Sequence, residues 1–467
     1  MLKRFVSNAG ANVFSGVFGA IYQLTITGIG GRVWQGAEFA SWALALSIAA
    51  IAPIFAANLS SVITRRVVEV RHGNLGSAEA AIIEAGRRLG RHLVLFALGT
   101  LIFAGAWIQA NSANQKLTSG AFAILLLVML STNSWLLLWQ VRFGQYYAEE
   151  RNWLPALTLA AARLGGVLGM AAGLAVGDQS LLLAAVGLCA GTWLGLACAI
   201  TLLPRPGPSQ SPTPIGASAA ASESESVDIR TEYGANLRLL SGFAVGALSM
   251  LVIQYGIPPL MALISPEKFN AFYIASALNI VAASVLAAAT SALLAPLTRW
   301  RVSRDMASLH RATLLSPFIC SACCLVVLYC CWYLMEPALA TMQIRAASIE
   351  DIRSFLAILG LQTVIRNAAA GYAMYIASSG TSTQMAGPRL IEIGLALTVA
   401  VSLGWFYGEN ALLYGLVISG LLGSLYSSRI LASLSRDQQI AGGRAFASLL
   451  GAQLLFSGIW WLVVGSK

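Results

Sequence analysis

Apolar stretches close to the length of a bilayer crossing recur from one end of the chain to the other, at 10–29, 40–62, 93–108, 121–139, 154–176, 181–203, 239–264, 269–294, 312–334, 355–377, 390–407, 411–431 and 446–464. A helix needs about 20 predominantly apolar residues to cross the hydrocarbon core. Lipid offers the backbone no hydrogen-bond partner, so each segment must satisfy its own N–H and C=O groups, which an α-helix does. Thirteen such stretches therefore predict an all-α polytopic membrane protein. The 467 residues are 57% hydrophobic and only 10% charged, with a mean hydropathy of +0.73, a balance that excludes a large soluble domain. Lys3 and Arg4 precede the first stretch as in a signal peptide. That stretch is of spanning length and lacks a small-residue cleavage site, so it reads as an uncleaved first helix.

A net charge of +10 raises the question of nucleic acid, and the distribution of the 29 Lys and Arg answers it. With the N-terminus in the cytoplasm, Arg32, Lys116, Lys268, Arg345, Arg353 and Lys467 fall outside and Arg163 and Arg366 within spans. All the others fall on the cytoplasmic side, as the positive-inside rule requires. Nucleic-acid binding would need basic residues gathered with aromatics on one soluble module, and the sequence holds no such module. The cysteines Cys320, Cys323, Cys324, Cys330 and Cys331 have spacings that a metal could use, but no His or acid stands beside them. They read as small buried apolar residues.

Between residues 203 and 239 the composition changes to "PRPGPSQSPTPIGASAAASESESVDIRTEYG", too polar and too rich in Pro, Ser and Gly to build a core. It is expected to be a flexible cytoplasmic tether spanning roughly 30 Å. This divides the chain into a six-helix bundle over 1–203, the tether over 204–236, a second six-helix bundle over 237–433, and a loop with one extra helix over 434–467. The halves are related. "AEFASWALALSIAAIAPIFAANLSSVITRR" from Ala37 aligns without gaps on "EKFNAFYIASALNIVAASVLAAATSALLAP" from Glu267, matching Phe39 with Phe269, Ala57 with Ala287 and Ser61 with Ser291. One residue out of that register, Gln23 meets Gln254. Both halves start on the same side, as in parallel repeats related by an axis along the membrane normal.

The segment "GIPPLMALISPEKFNAFYIASALNIVAASVLAAATSALLAPLTRWRVSRDMASLHR" from Gly256, with "GIGGRVWQGAEFASWALALSIAAI" from Gly28, resembles the polysaccharide-transporter flippases of the multidrug/oligosaccharidyl-lipid/polysaccharide exporter superfamily. The resemblance follows most of the chain in span order. It implies a MATE-like arrangement of two six-helix bundles related by a pseudo-two-fold along the membrane normal, with the thirteenth helix added. Gln254 stands where relatives often carry an acid, and the tether is longer than the resemblance leads one to expect.

Two arginines lie deep in spans. An Arg near the centre of a span costs about 2.5–3.5 kcal/mol on insertion scales, so it faces a bundle interior or a wet cavity. At 100° per residue, Gln362 and Thr363 lie within about 60° of Arg366 and Asn367 within about 100°, giving one polar face. Arg163, in "LAAARLGGVLG", sits among glycines that allow close helix packing; it is either a structural arginine bonding a carbonyl or a substrate ligand. The first span carries a stripe of Asn8, Asn12, Ser15, Gly19, Gln23 and Thr27, and the second aligns Ser47, Asn58, Ser61 and Arg65. Such stripes serve helix packing, or a cavity on the helices that line it in the resembled family. Glu392 is the one acid within a span, close to Arg389. It reads either as the i, i+3 partner of Arg389 or as a coupling carboxylate.

Guanidinium groups meet phosphate oxygens bidentately, so two deep arginines and few acids favour an anionic substrate. Together with the resemblance, this predicts a flippase that moves polyprenyl-diphosphate-linked oligosaccharide across a bacterial inner membrane by alternating access, with its N-terminus cytoplasmic. Arg366, Asn367, Gln362, Arg163, Asn12, Gln23, Asn58 and Gln254 are the expected cavity residues, and basic cytoplasmic loops, with Arg65 and Arg66 foremost and Arg71, Arg87, Arg88 and Arg91 beside them, the expected capture site for the head group. Membrane lipids and other polysaccharide-assembly membrane proteins are the expected partners. No cofactor is expected beyond a coupling ion, H+ or Na+. Two alternatives stand beside this: a cation-coupled drug exporter on the same scaffold, and a membrane glycan polymerase or ligase. The short external loop at 336–354, and histidines confined to loop regions at His72, His92 and His310, count against catalysis.

Overall fold

The computed structural model describes residues 2–34, 42, 51–73, 78–111, 136, 139–177, 179–202, 228–251, 253, 257–341, 348–434 and 442–465. Gln254, most of the expected tether and most of the fourth apolar stretch lie outside these residues, as does the side chain of Gln23. The described chain is almost wholly helical. Among the described residues seven helices are long and apolar enough to cross a membrane: Trp153–Val176, Leu181–Leu202, Ile274–Val302, Met306–Pro337, Ser382–Tyr407, Glu409–Leu434 and Gly443–Gly465. The chain is thus a multi-pass membrane protein. It divides into two compact units, Met1–Leu240 and Ser241–Lys467.

The first unit contains α1 (Leu2–Val33), α2 (Ile51–His72), α3 (Glu79–Asn111), a helical piece at 139–148, α4 (Trp153–Val176) and α5 (Leu181–Leu202). The α4–α5 pair packs along its whole length. Gly165, Gly169 and Gly173 of α4 face Gly187, Gly191 and Gly195 of α5, and a Cβ built on Gly169 would lie 2.0 Å from the Gly187 carbonyl oxygen. This is small-residue packing, the main means of bringing helices together where lipid removes the hydrophobic drive. The outward faces carry Leu168 and Leu194, 62% and 67% exposed, as suits side chains turned to lipid.

α6 (Ile229–Leu251) begins inside the stretch expected as tether, so residues 229–236 are helical. Their side chains explain why. Asp228 accepts a hydrogen bond from the Arg230 N–H, Glu232 pairs with Arg66, Tyr233 meets His92, and Asn236 donates to the Ile82 carbonyl. A polar segment given this many fixed partners gains enough to order.

The second unit continues through α7 (Ile257–Ile264), α8 (Phe269–Ser291), α9 (Leu294–Val302), α10 (Met306–Thr341), α11 (Ile349–Ala368), α12 (Ala370–Ser379), α13 (Ser382–Leu395), a π-turn at Ala396–Ala400, α14 (Val401–Tyr407), α15 (Glu409–Leu434) and α16 (Gly442–Gly465). α11 is the central helix, buried from Phe355 to Ile365 without a break and packed on α8, α10, α15 and α16. The thirteenth helix of the sequence reading, α16, is part of this unit. Trp460 donates to the Ala357 carbonyl at 2.8 Å, Tyr372 to Ala445 O at 2.7 Å and Ser448 to Leu314 O at 2.6 Å.

Two spans differ from their sequence outlines. The stretch 355–377 is not one helix, because the ladder breaks at Ala369 (φ −84°, ψ −1°). The eleventh span starts at Ser382 rather than 390. A reciprocal capping box fixes that start: the Thr381 hydroxyl accepts from Gln384 N, and Gln384 Oε1 accepts from Thr381 N at 2.8 Å, which satisfies two end donors at once.

Candidate functional site

The break at Ala369 frees a carbonyl beside the deepest charge. The Ala369 N–H bonds to Arg366 O at 3.3 Å, which leaves Ile365 O without its i+4 donor. Gln453 of α16 supplies the replacement, donating from Nε2 at 3.0 Å, with the Ser424 hydroxyl of α15 at 3.4 Å. Gln453 is buried and its Oε1 takes no hydrogen bond among the described residues, so this bond is its main polar contact. Gln453→Leu is expected to leave the Ile365 carbonyl with only the longer Ser424 contact and to cost about 1 kcal/mol, read as a lowered thermal midpoint in detergent.

Next to the break, Arg366 meets Glu392. Its Nε lies 2.8 Å from Glu392 Oε1, and its Nη2 donates to Ser249 Oγ of α6 at 3.1 Å. Ser249 donates in turn to Glu392 Oε2 at 3.1 Å, and Arg389 Nη1 donates to the same oxygen at 2.8 Å. Three helices, α6, α11 and α13, thus bring one carboxylate between two guanidinium groups, leaving one positive charge in excess. The carboxylate is 1% exposed, the Arg366 side chain 13% and the Arg389 side chain 26%. The Arg366 Nε contact lacks hydrogen-bond alignment, so Oε1 is held by charge alone. Because the capping box starts α13 early, Arg389 lies within the span rather than in a loop. Glu392 likewise sits about 15 Å along the helix from its start at Ser382.

The polar face expected around Arg366 fans out instead of forming a single wall, because α11 has neighbours on all sides. Gln362 is buried against α15 near Gly420, with its Nε2 unpartnered among the described residues. Thr363 donates to Asn279 of α8 at 2.7 Å. Asn367 donates to Thr363 O at 2.8 Å and turns its amide toward Cys324 of α10. Of the cysteine cluster, Cys320 and Cys324 are buried while Cys323 and Cys330 are exposed.

In the first unit Arg163 Nη1 donates to Ser15 O of α1 at 2.6 Å, and its guanidinium lies flat against Gly19, where a Cβ would come within 2.8 Å. No carboxylate lies within ion-pair distance of it among the described residues, and Tyr22 and Tyr147 stand within electrostatic reach. Of the α1 stripe, Asn8 accepts from the Asn152 N–H at 3.4 Å just before α4, and Asn12 is buried. Asn58 is partly buried.

Arg65 and Arg66 differ from the expected capture site. Arg65 bonds Glu69 at 3.0 Å, and Arg66 pairs with both Glu69 and Glu232. Carboxylates one helical turn on, and on α6, therefore take up the charge meant for a ligand. Arg71 is held by Glu79 through two bonds. Near it, burial pushes the Glu149 carboxyl above the usual carboxylate range, against the pull of Arg71 and Arg151. Arg87, Arg88 and Arg91 of α3 keep half or more of their side chains exposed around Glu84.

Sequence reasoning found Arg366 and Glu392 but not Ser249, Asn279 or Gln453. A lone polar residue in an apolar span was the available signal for the last two. Ser249 carried none.

No family model matches the sequence, and no curated protein matches it. Solved structures do. A MATE crystallised in complex with MaL6 superposes with a TM-score of 0.73 at 13% identity, over 93% of this chain and 97% of that one. A multidrug resistance MATE family transporter of the MOP superfamily, in an outward-facing conformation, gives 0.71 at 15% identity over 93% and 96%. The Vibrio cholerae MATE transporter VcmN in its bent form gives 0.65 at 13% identity over 97% and 98%. At such identities the likeness is one of architecture: this chain has the fold of the MATE transporters.

Proposed function

We propose that the protein is a transporter that moves polyprenyl-diphosphate-linked oligosaccharide from the cytoplasmic to the outer leaflet of a bacterial inner membrane. The observation that carries this reading is the excess positive charge of the Arg366–Glu392–Arg389 cluster. Buried charge seeks a partner, and two guanidinium groups suit the paired oxygens of a diphosphate. Arg163, with no carboxylate partner among the described residues, supports the same chemistry in the other unit. The resemblance of residues 256–311 to polysaccharide-transporter flippases supports the lipid-linked substrate, and the fold shared with transporters supports transport rather than catalysis. Of the residues expected to capture the head group, the exposed Arg87, Arg88 and Arg91 suit that role better than the paired Arg65 and Arg66.

The test is leaflet transfer of a polyprenyl-diphosphate oligosaccharide by the purified protein in liposomes. Wild type is expected to transfer it. Arg366→Ala, inserted equally well, is expected to lose at least nine-tenths of the rate, a loss of about 1.4 kcal/mol or more. Unchanged transfer by the variant would remove Arg366 from the substrate path. The buried carboxylate of Glu392 and the multidrug transporter among the structural neighbours favour a second reading, a cation-coupled drug exporter. Uptake of a cationic dye driven by a proton or sodium gradient, abolished in Glu392→Gln, would replace the first reading with that one.

A further inference from the structure

We infer that Glu392 is an internal placeholder: it occupies the position between Arg366 and Arg389 that a ligand's diphosphate takes, and binding of the diphosphate displaces it. The inference rests on the reading of Arg366 as an anion ligand and goes further, since it assigns the carboxylate a part in setting how tightly the anion is held.

Four observations lead to it. First, the carboxylate is shaped like its replacement. Its two oxygens are divided between two guanidinium groups, Oε1 toward Arg366 and Oε2 toward Arg389, each at 2.8 Å, as two phosphoryl oxygens would be. Second, the hold is uneven. Oε2 accepts from Arg389 and Ser249, whereas Oε1 has charge contact without hydrogen-bond alignment, so the Arg366 side is the weaker one. Third, the arginine side chains are more exposed than the acid between them: Arg389 and Arg366 are 26% and 13% exposed, and Glu392 is 1% exposed. An arriving anion reaches the arginines before the carboxylate reaches water.

Fourth, the helix around Glu392 is irregular on both sides. Pro388, four residues before it, removes a backbone donor to the preceding turn. The π-turn at Ala396–Ala400 begins four residues after it, and such bulges recur at functional positions. Opposite, α15 presents Gly423, whose missing Cβ would lie 3.2 Å from both Glu392 Cβ and Pro388 O. A short segment bearing both Arg389 and Glu392 is therefore bounded by two weak points in the ladder and meets α15 at a glycine where Glu392 stands. That geometry lets the carboxylate swing off the arginines without unpacking α11.

Displacement makes the affinity of the site a competition. With Glu392 in place the arginines are partly neutralised and the anion binds weakly enough to leave; without it the anion is held. The test uses the full-length protein in nanodiscs with inorganic pyrophosphate and with farnesyl diphosphate as probes, comparing wild type, Glu392→Gln, Glu392→Asp and Arg366→Ala by calorimetry. Expected are roughly tenfold tighter binding of both probes in Glu392→Gln, a smaller tightening in Glu392→Asp, whose shorter acid reaches one guanidinium less well, and loss of binding in Arg366→Ala. Should Glu392→Gln fail to fold, the Glu392→Asp arm still decides. Loss in Arg366→Ala with both Glu392 variants binding as wild type does would overturn the placeholder while leaving the anion site. Absence of binding to wild type and every variant would overturn the anion site itself, and the placeholder with it. If the tightening occurs, stronger binding of farnesyl diphosphate than of pyrophosphate supports the placeholder with a lipid-linked head group. Equal binding supports it with a free diphosphate.

Discussion

Glu392→Leu is expected to destabilise the Ser241–Lys467 unit by about 3–5 kcal/mol, and adding Arg366→Met to the same chain is expected to recover most of that loss. The reasoning turns on what each deletion leaves behind. With the carboxylate gone, Arg366 faces Arg389 across a space in which neither has a counter-charge, and the Ser249 hydroxyl loses its acceptor. Arg389 has a way out: its side chain is 26% exposed, and a long stem can carry the charge toward water. Arg366 projects from the most buried helix of the unit and, 13% exposed, has far less room to do so. Removing it as well leaves only the charge that can relax, so the double variant should be more stable than the single one. Thermal midpoints in one detergent for wild type, both singles and the double close the cycle. A double variant no more stable than Glu392→Leu would mean the three groups do not act as one cluster.

How much of this was legible in the sequence depends on the kind of signal. The seven spans found among the described residues were legible because lipid demands long apolar runs, and Arg366 and Glu392 stood out because a charge in such a run is rare. Their partnership was not legible. Arg366 and Glu392 are separated by a broken helix and a turn, and the break at Ala369 falls in "RNAAAGYAM", where no proline announces it. The carbonyl freed there is satisfied by Gln453, almost ninety positions on, and no local pattern links the two. The start of α13 was within reach, since "TSTQ" from Thr381 is a capping box in plain view. Apolarity alone set the boundary at 390, and so left Arg389 in a loop. The ion pairs of the expected head-group capture site were hidden for another reason. Arg65 and Arg66 were read as basic loop residues, while Glu69 stood one turn away on the same helix.

Gly169→Val is expected to cost on the order of 3 kcal/mol or more, the upper end of overpacking penalties, while Leu168→Val, one residue earlier, changes stability by about 0.5 kcal/mol or less. The two positions differ in what surrounds them. Leu168 points outward and is 62% exposed. A Cβ on Gly169 would meet the Gly187 carbonyl oxygen at 2.0 Å, and the same clash awaits at Gly191, 2.0 Å from Gly165 O, and at Gly195, 2.2 Å from Ala161 O. Each obstacle is backbone, which has no rotamer into which to retreat, so α4 and α5 must move apart. In lipid, packing is most of what holds two such helices together, and separation at one glycine opens the contacts at the next. The consequence extends to α1: α4 carries Arg163, whose bond to Ser15 O at 2.6 Å depends on α4 staying where α5 presses it. Gly169→Val should therefore lower both the thermal midpoint and the monodisperse fraction recovered in detergent. If it instead matches Leu168→Val, the close approach of these two helices is not what holds the first unit together.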